Sequence, residues 1–166
     1  MNDREAEKLL ELGEKYARKV LLKDRERQLD NMYHLVASDG NITLVPGTWE
    51  NDIQKQIILA VVRDIAKKIK CRAVLFTGEG WTVSREVPAT EWHKKREAGK
   101  WYPPPSQDPE RKEVVNIIAA DTLGAKALIL QMVRDKPGGR LISLVETARL
   151  DNASGQMIDG FIQPQE

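Results

Sequence analysis

The sequence predicts an α+β domain in which an antiparallel sheet of about five to six strands is packed by a central isoleucine-rich helix. Two helical periodicities come early in the chain, at residues 3–30 and 51–69, and three β-type runs come late, between residues 113 and 150. Helices that precede a run of consecutive strands are typical of α+β architecture. The chain has 166 residues, so we expect one domain over 1–166.

The first helical segment is amphipathic. Its apolar residues recur at steps of three and four, which places them on one side of a helix. They are Ala6, Leu9, Leu10, Gly13, Tyr16, Ala17, Val20 and Leu21. The rest of residues 3–30 is charged with both signs in balance, which favours a solvated helix packed on the domain over a basic arm.

A β-hairpin and a second helix follow. Residues 33–37 and 41–45 are rich in β-formers and are separated by a turn that contains Asp39 and Gly40, a strong hairpin signal. Asn51 with Gln54 three residues later is typical of a helix N-terminus. A wide apolar face then predicts the central core helix, formed by Ile53, Ile57, Ile58, Val61, Val62, Ile65 and Ile69.

The remaining strands are interrupted by one insertion. Glycines 78 and 80 divide two β-type runs at 73–76 and 81–83, and we expect a bulge or kink there rather than a phosphate loop, because strand character continues. Residues 88–109 form a proline-rich insertion with a short helix over 90–98. An antiparallel meander follows at 113–120, 125–134 and 140–150, with Leu128, Leu130 and Met132 facing the core, and a further short strand is expected around 157–162.

Charge and cysteine usage limit the classes of partner. There are 26 Lys and Arg against 25 Asp and Glu, so the net charge of +1 offers no global argument for binding a nucleic acid or an acidic membrane. The lone Cys71 predicts a buried thiol in a cytoplasmic protein, and the apolar runs are too short to span a bilayer. His34 and His93 are too few and too far apart to indicate a metal site, and no motif calls for a cofactor.

A local basic and aromatic segment lies within the insertion. Aromatic rings stack on bases while cations bind phosphates, so this segment is a candidate site for single-stranded nucleic acid. Its residues are Trp92, Lys94, Lys95, Arg96, Lys100 and Trp101. The favoured alternative is a solvated short helix whose tryptophans anchor it to the domain.

Two short motifs suggest a family. They are Gly78-Glu79-Gly80-Trp81 at the end of an apolar strand, and Pro109-Glu110-Arg111 with Glu113 at the start of the next strand. The chain resembles a group of small uncharacterised bacterial and phage-borne proteins over roughly residues 33–162. In that group we expect a strand that ends in Glu, a small residue and Trp, and then a Pro-acid-Arg-x-Glu run into a strand. Gly80 stands where we would expect alanine.

The resemblance implies a cytosolic α+β domain and no particular reaction. It also draws attention to Glu79, Trp81, Arg111 and Glu113 as a candidate polar ligand cluster on neighbouring strands. The favoured alternative is a structural one, in which Arg111 forms an ion pair with Glu79 or Glu113 and closes the insertion onto the sheet.

These observations favour a non-enzymatic binding or accessory protein of the bacterial or phage cytosol that self-associates or binds another protein. The first alternative is a single-stranded nucleic-acid-binding module that uses the insertion. The second is a hydrolase-like enzyme that uses Glu79 and Glu113. We expect no catalytic residue, cofactor or metal in the favoured interpretation.

Overall fold

A computed structural model describes residues 1–83, 88–99 and 107–153 of the chain. Within these residues the elements are α1 (Asp3–Lys23), β1 (Met32–Ala37), β2 (Ile42–Pro46), α2 (Asp52–Lys68), β3 (Cys71–Thr82), α3 (Ala89–Glu97), β4 (Lys112–Ala120), β5 (Ala125–Arg134) and β6 (Leu141–Leu150). The strand predicted around residues 157–162 and residues 100–106 of the insertion lie outside the described residues. No helix in the described ranges is long and apolar enough to cross a membrane.

All six strands form one antiparallel sheet with the order β2-β1-β3-β4-β5-β6. The α+β class, the early hairpin and the late meander are therefore confirmed. β3 lies between the hairpin and the meander, since it pairs with β1 on one side and with β4 on the other. The sheet thus joins two units that are separated in the sequence by α2.

The first helix covers one face of the sheet. α1 contacts β3, β4, β5 and β6, and its buried stripe builds the larger hydrophobic cluster. Leu128, Leu130 and Met132 of β5 belong to this cluster, as predicted. Other members are Leu9, Leu10, Ala17, Leu21, Leu75, Val115 and Ile117.

Gly13 marks the closest approach of α1 to the sheet. A Cβ atom at this position would lie 2.5 Å from Cγ2 of Ile117 and 2.9 Å from Oγ1 of Thr77, both below any ordinary contact. The Ile117 methyl group sits on a branched side chain in the middle of a strand, so it has little freedom to move. Glycine is therefore required here for space, and it allows the helix to lie directly on the strands.

The second helix covers the opposite face of the sheet and contacts β1 and β3. Asn51 caps it, because its side chain accepts the N–H of Gln54 at 2.9 Å. Its buried side consists of Leu59, Val62 and Ala66, which pack into a smaller cluster with residues of β1 and β3.

Only part of the wide apolar face predicted for α2 is buried against the sheet. Ile53, Ile57 and Val61 are exposed, so the expectation that they belong to the core is wrong. The physical reason is geometric. Positions 57 and 61 are turned about 200° from the buried Leu59 on a helix with 3.6 residues per turn, and a helix on a flat sheet buries one side.

The bulge or kink expected at Gly78 to Gly80 is also wrong. β3 pairs with β4 from Val74 to Thr82 without a shift in register. A Cβ atom at Gly78 would overlap the Asn31 side chain and lie 2.7 Å from the Phe76 ring. At this position glycine therefore provides room for the segment that enters β1, and the strand remains regular.

We predict that Gly13→Ala destabilises the protein by about 1–3 kcal/mol, because the added methyl group must push α1 away from Ile117 and Thr77. At an open helix position the same change would stabilise by about 0.5–1 kcal/mol. Urea unfolding measures the difference. Lys15→Ala, at an exposed position of the same helix, is the control and should change stability by less than about 0.5 kcal/mol. A stabilised Gly13→Ala variant would contradict the close contact.

Candidate functional site

Alternate residues of β3 place Thr77, Glu79 and Trp81 on the face of the sheet that α1 covers. The register sets Glu113 of β4 directly opposite Trp81. Three of the four residues predicted as a polar cluster, Glu79, Trp81 and Glu113, therefore share one face at one end of the sheet. We call Glu79, Trp81, Arg111, Glu113 and Arg134 the polar end of the sheet.

Arg134 of β5 is the partner of Glu113. Its Nε and Nη2 atoms each donate to a carboxylate oxygen of Glu113 at 2.7 Å, and Nη1 donates to the carbonyl of Gly139 at 2.9 Å. This bidentate ion pair is partly buried, and such paired geometry is the strong form of an arginine–carboxylate contact. The sequence did not single out Arg134, because only the register of β4 against β5 brings it to Glu113.

Glu79 attaches the segment between α1 and β1 to the sheet. Its carboxylate accepts the backbone N–H of Leu29 at 2.5 Å, and the Leu29 side chain is buried in the α1 core. Burial raises the pKa of Glu79; the Leu29 hydrogen bond opposes this rise, the charge of Glu113 adds to it, and Arg134 opposes it. Glu79 is thus a half-buried carboxyl that is engaged in a structural contact.

Arg111 contacts the polar end of the sheet at Trp81. Its guanidinium lies over the indole ring, 4.7 Å from the ring centroid, in a cation–π contact. The turn before β4 positions it, because the buried Asp108 accepts the N–H of Glu110 through its side chain at 2.9 Å and that of Arg111 through its carbonyl at 3.1 Å. The proline-acid-arginine motif therefore forms a turn that places Arg111 on the exposed Trp81.

Two buried polar side chains lie beneath α1 beside this cluster. His34 of β1 and Thr77 of β3 are on the same face, and the ring of Tyr16 meets that of His34 edge-on at 6.1 Å between centroids. Nδ1 of His34 and Oγ1 of Thr77 have no hydrogen-bond partner among the described residues. Burial lowers the pKa of His34, so the neutral imidazole is favoured in the folded protein.

The contacts of the polar end limit its chemistry. Acid–base hydrolysis needs two carboxyl groups that both face a substrate. Here both oxygens of Glu113 are held by Arg134, and Glu79 accepts a backbone N–H. In the part of the chain that the structure describes, no group of three or more His, Cys, Asp or Glu residues is placed to hold a metal ion. These contacts support a structural role for the carboxylates.

The exposed side of α2 is the second candidate site. Ile53, Ile57, Ala60 and Val61 form a stripe that points away from the sheet, and we call it the outer face of α2. Ile53 is 75% exposed, Ile57 58% and Val61 51%. Sequence reasoning found these residues but assigned them to the core, since periodicity does not distinguish a helix with one buried side from one with two.

The nucleic-acid candidates in the insertion are described only in part. Residues 92–96 lie on α3, which matches the short helix predicted over 90–98, and Lys94 is exposed. The side chains of Trp92, Lys95 and Arg96 lie outside the described part of the structure, as do residues 100 and 101. The single-strand hypothesis therefore stays a prediction.

Comparisons of the chain with protein-family models, curated protein sequences and solved structures find no match.

We predict that the free energy of unfolding of the Glu79→Gln variant increases, relative to that of the natural chain, as pH rises from 4.5 towards neutrality. Burial raises the folded-state pKa of Glu79 above its ordinary value of 4.5, so the folded protein holds a proton that the unfolded chain has lost. Stability therefore falls as pH rises through this window. Glutamine removes that titration and keeps an oxygen for the Leu29 N–H. Urea unfolding at several pH values measures the difference.

The control for this experiment is Glu50→Gln, at an exposed position before α2. This variant measures the effect of removing one exposed carboxylate charge over the same pH range. If the free energy of unfolding of Glu79→Gln relative to the natural chain stays constant or falls as pH rises, Glu79 is not held in a desolvated position.

Proposed function

We propose that this chain is a non-enzymatic binding or accessory protein whose contact surface is the outer face of α2. The observation that carries this proposal is the exposure of Ile53, Ile57 and Val61 at successive turns of one helix. Contiguous apolar patches on an otherwise charged surface are typical of protein contact sites. A helix that carries apolar residues on two sides is usually covered by other structure on both sides.

Folding alone does not account for these three side chains. α2 is held by its Asn51 cap and by its buried side against the sheet. Isoleucine and valine have lower helix propensity than lysine, glutamate or glutamine, so an exposed helix position gains nothing from them. Their presence on the outer face is therefore better explained by binding than by the stability of the free chain.

The contacts at the polar end of the sheet also support a non-enzymatic role. Its carboxylates are used by Arg134 and by the Leu29 N–H, and its tryptophan is covered on one side by Arg111. These contacts join the segment after α1 to β3, the turn before β4 to β3, and β5 to β4. We infer that the cluster maintains the fold and that the hydrolase alternative lacks a free acid–base pair.

We further propose that the protein acts in the cytoplasm of a bacterial cell, encoded by the cell or by a phage, with a protein as its partner. The resemblance to small bacterial and phage-borne proteins supports the origin. The buried Cys71, whose thiol pKa is raised by desolvation, fits a reducing compartment, where a thiol serves as a small apolar side chain. The net charge of +1 favours a protein over a nucleic acid or an anionic membrane.

Site-specific photo-crosslinking in cells of the protein's own source tests this proposal. A photoreactive side chain at position 57 should give protein adducts, and those adducts should disappear when Ile53 is changed to Lys, because a charge on the same stripe opposes apolar contact. The control is the same side chain at position 123, since Leu123 is 83% exposed in the turn between β4 and β5. Equal adduct formation at the two positions would overturn the proposal.

A further inference from the structure

We infer that the outer edge of β2, formed by the backbone of Ile42 and Leu44, pairs with the same edge of a second copy of this chain. The two strands are antiparallel, a two-fold axis passes through Thr43, and the two sheets join into one. This inference goes beyond the proposed function, because it uses a different surface from the outer face of α2. It is carried by the backbone groups and side chains of these three residues.

Hydrogen bonds at the two ends of the hairpin define its ladder. The carbonyl of Asn41 accepts the N–H of Ala37 at 2.9 Å, and the N–H of Gly47 donates to the carbonyl of Asn31 at 2.8 Å. Residue pairs alternate between hydrogen-bonded and non-hydrogen-bonded types along an antiparallel ladder. In the register of β1 and β2, the odd-numbered residues of β2 therefore bond to β1.

The even-numbered residues of β2 direct their backbone groups away from β1. Ile42 and Leu44 each present an N–H and a C=O at the outer edge, whereas Pro46 presents only a C=O. β2 is the last strand on its side of the sheet, so no strand in the described ranges pairs with these groups. An extended strand is the partner that fits them, because it presents donors and acceptors at the same spacing.

The two edges of the sheet differ in their protection. At the edge formed by β6, Arg18 donates to the carbonyl of Leu144 at 3.0 Å, and Arg25 donates to that of Ile142 at 2.8 Å. Charged side chains thus contact the backbone of that edge strand. At β2, by contrast, residues 40–49 include no charged residue, although charged residues make up 31% of the chain. Charges at an edge oppose pairing with another strand, and β2 lacks them.

One antiparallel register satisfies both outward residues of each copy. With the axis at Thr43, Ile42 lies opposite Leu44 of the second copy, and each such pair exchanges both N–H···O bonds. A shift of two residues in one direction sets Ile42 against Pro46, which has no N–H. A shift in the other direction sets Leu44 against Gly40, whose N–H is already used within the hairpin turn.

The side chains in this register are complementary to themselves. Ile42 and Leu44 lie on the α1 side of the sheet, beside Val36 and His34, and they are 49% and 58% exposed. An axis perpendicular to the sheet keeps them on the same side in both copies, so each Ile42 packs against a Leu44. Thr43 meets its own equivalent on the other side, in a non-hydrogen-bonded pair. Two-fold dimers require such self-complementarity, and β2 itself has it.

The short overlap determines the expected strength. One strand from each copy buries less than the roughly 800 Å² per partner of a standard interface. We therefore expect a weak dimer, which is dissociated at about 10 μM and forms towards about 1 mM.

Disulfide cross-linking of the full chain tests the register. In the paired edge the two Cα atoms of residue 43 are about 4.5 Å apart, within disulfide range, whereas those of residue 41 are about 13 Å apart or more. Mild oxidation should therefore link Thr43→Cys into a dimer at least tenfold faster than Asn41→Cys, the matched control at an exposed position nearby. Adding Leu44→Lys to both chains should abolish this difference, because the added charges oppose pairing. The natural Cys71 is buried and common to all variants.

Amide hydrogen exchange, followed by NMR on the natural chain from about 10 μM to about 1 mM, tests the pairing without substitution. The N–H groups of Ile42 and Leu44 should exchange freely at the lowest concentration and at least tenfold more slowly at the highest. Those of Thr43 and Val45, which bond to β1, should be protected at every concentration. Circular dichroism confirms that the Leu44→Lys chains are folded.

Equal cross-linking rates for Thr43→Cys and Asn41→Cys would overturn the inference, as would exchange at Ile42 and Leu44 that does not depend on concentration. Slow exchange at every concentration would indicate that a strand of the same chain occupies the edge, and fast exchange at every concentration would indicate an open edge. Neither result bears on the outer face of α2, which photo-crosslinking at position 57 tests separately.

Discussion

The structure depends on the direct contact between α1 and the middle of the sheet at Gly13. The absence of a side chain there lets the helix rest on Ile117 and Thr77, and from this point its apolar stripe extends over four strands. Dispersion and hydrophobic stabilisation both require such close packing, because each contact is short-ranged. A larger residue would separate the two layers along the length of the helix, so the main core is sensitive to this one position.

The polar end of the sheet lies on the same face of the sheet as α1 and borders the core that α1 forms. After α1 ends, the chain returns to β1 across the sheet, where Glu79 accepts the Leu29 N–H and buries the leucine in the α1 core. The ion pair between Glu113 and Arg134 joins β4 to β5 beside it. Partly buried carboxylates are costly unless they are paired or hydrogen-bonded, and here each has such a partner. The cluster is therefore best understood as the polar closure of an otherwise apolar layer.

Local pattern was sufficient for the helices, the hairpin and the meander, because each depends on residues within a few positions of one another. It was not sufficient for Arg134, which meets Glu113 only through the register of two strands, or for Gly78, whose small size is required by Asn31 from a distant segment. It also assigned Ile53 and Ile57 to the core, since apolar spacing alone does not reveal which layer a helix side faces. The features that sequence missed all depend on contacts between distant segments.

α2 has two apolar sides: Leu59 and Val62 are buried against the sheet, whereas Ile53, Ile57 and Val61 are exposed and form the contact face that we propose. Solvent paramagnetic relaxation of methyl groups, recorded by NMR on the purified chain in dilute solution, tests this most directly. We expect the methyl groups of Ile53, Ile57 and Val61 to be accessible to the paramagnetic probe and those of Leu59 and Val62 to be protected from it. Protection of all five methyl-bearing residues, or accessibility of Leu59 and Val62, would contradict it.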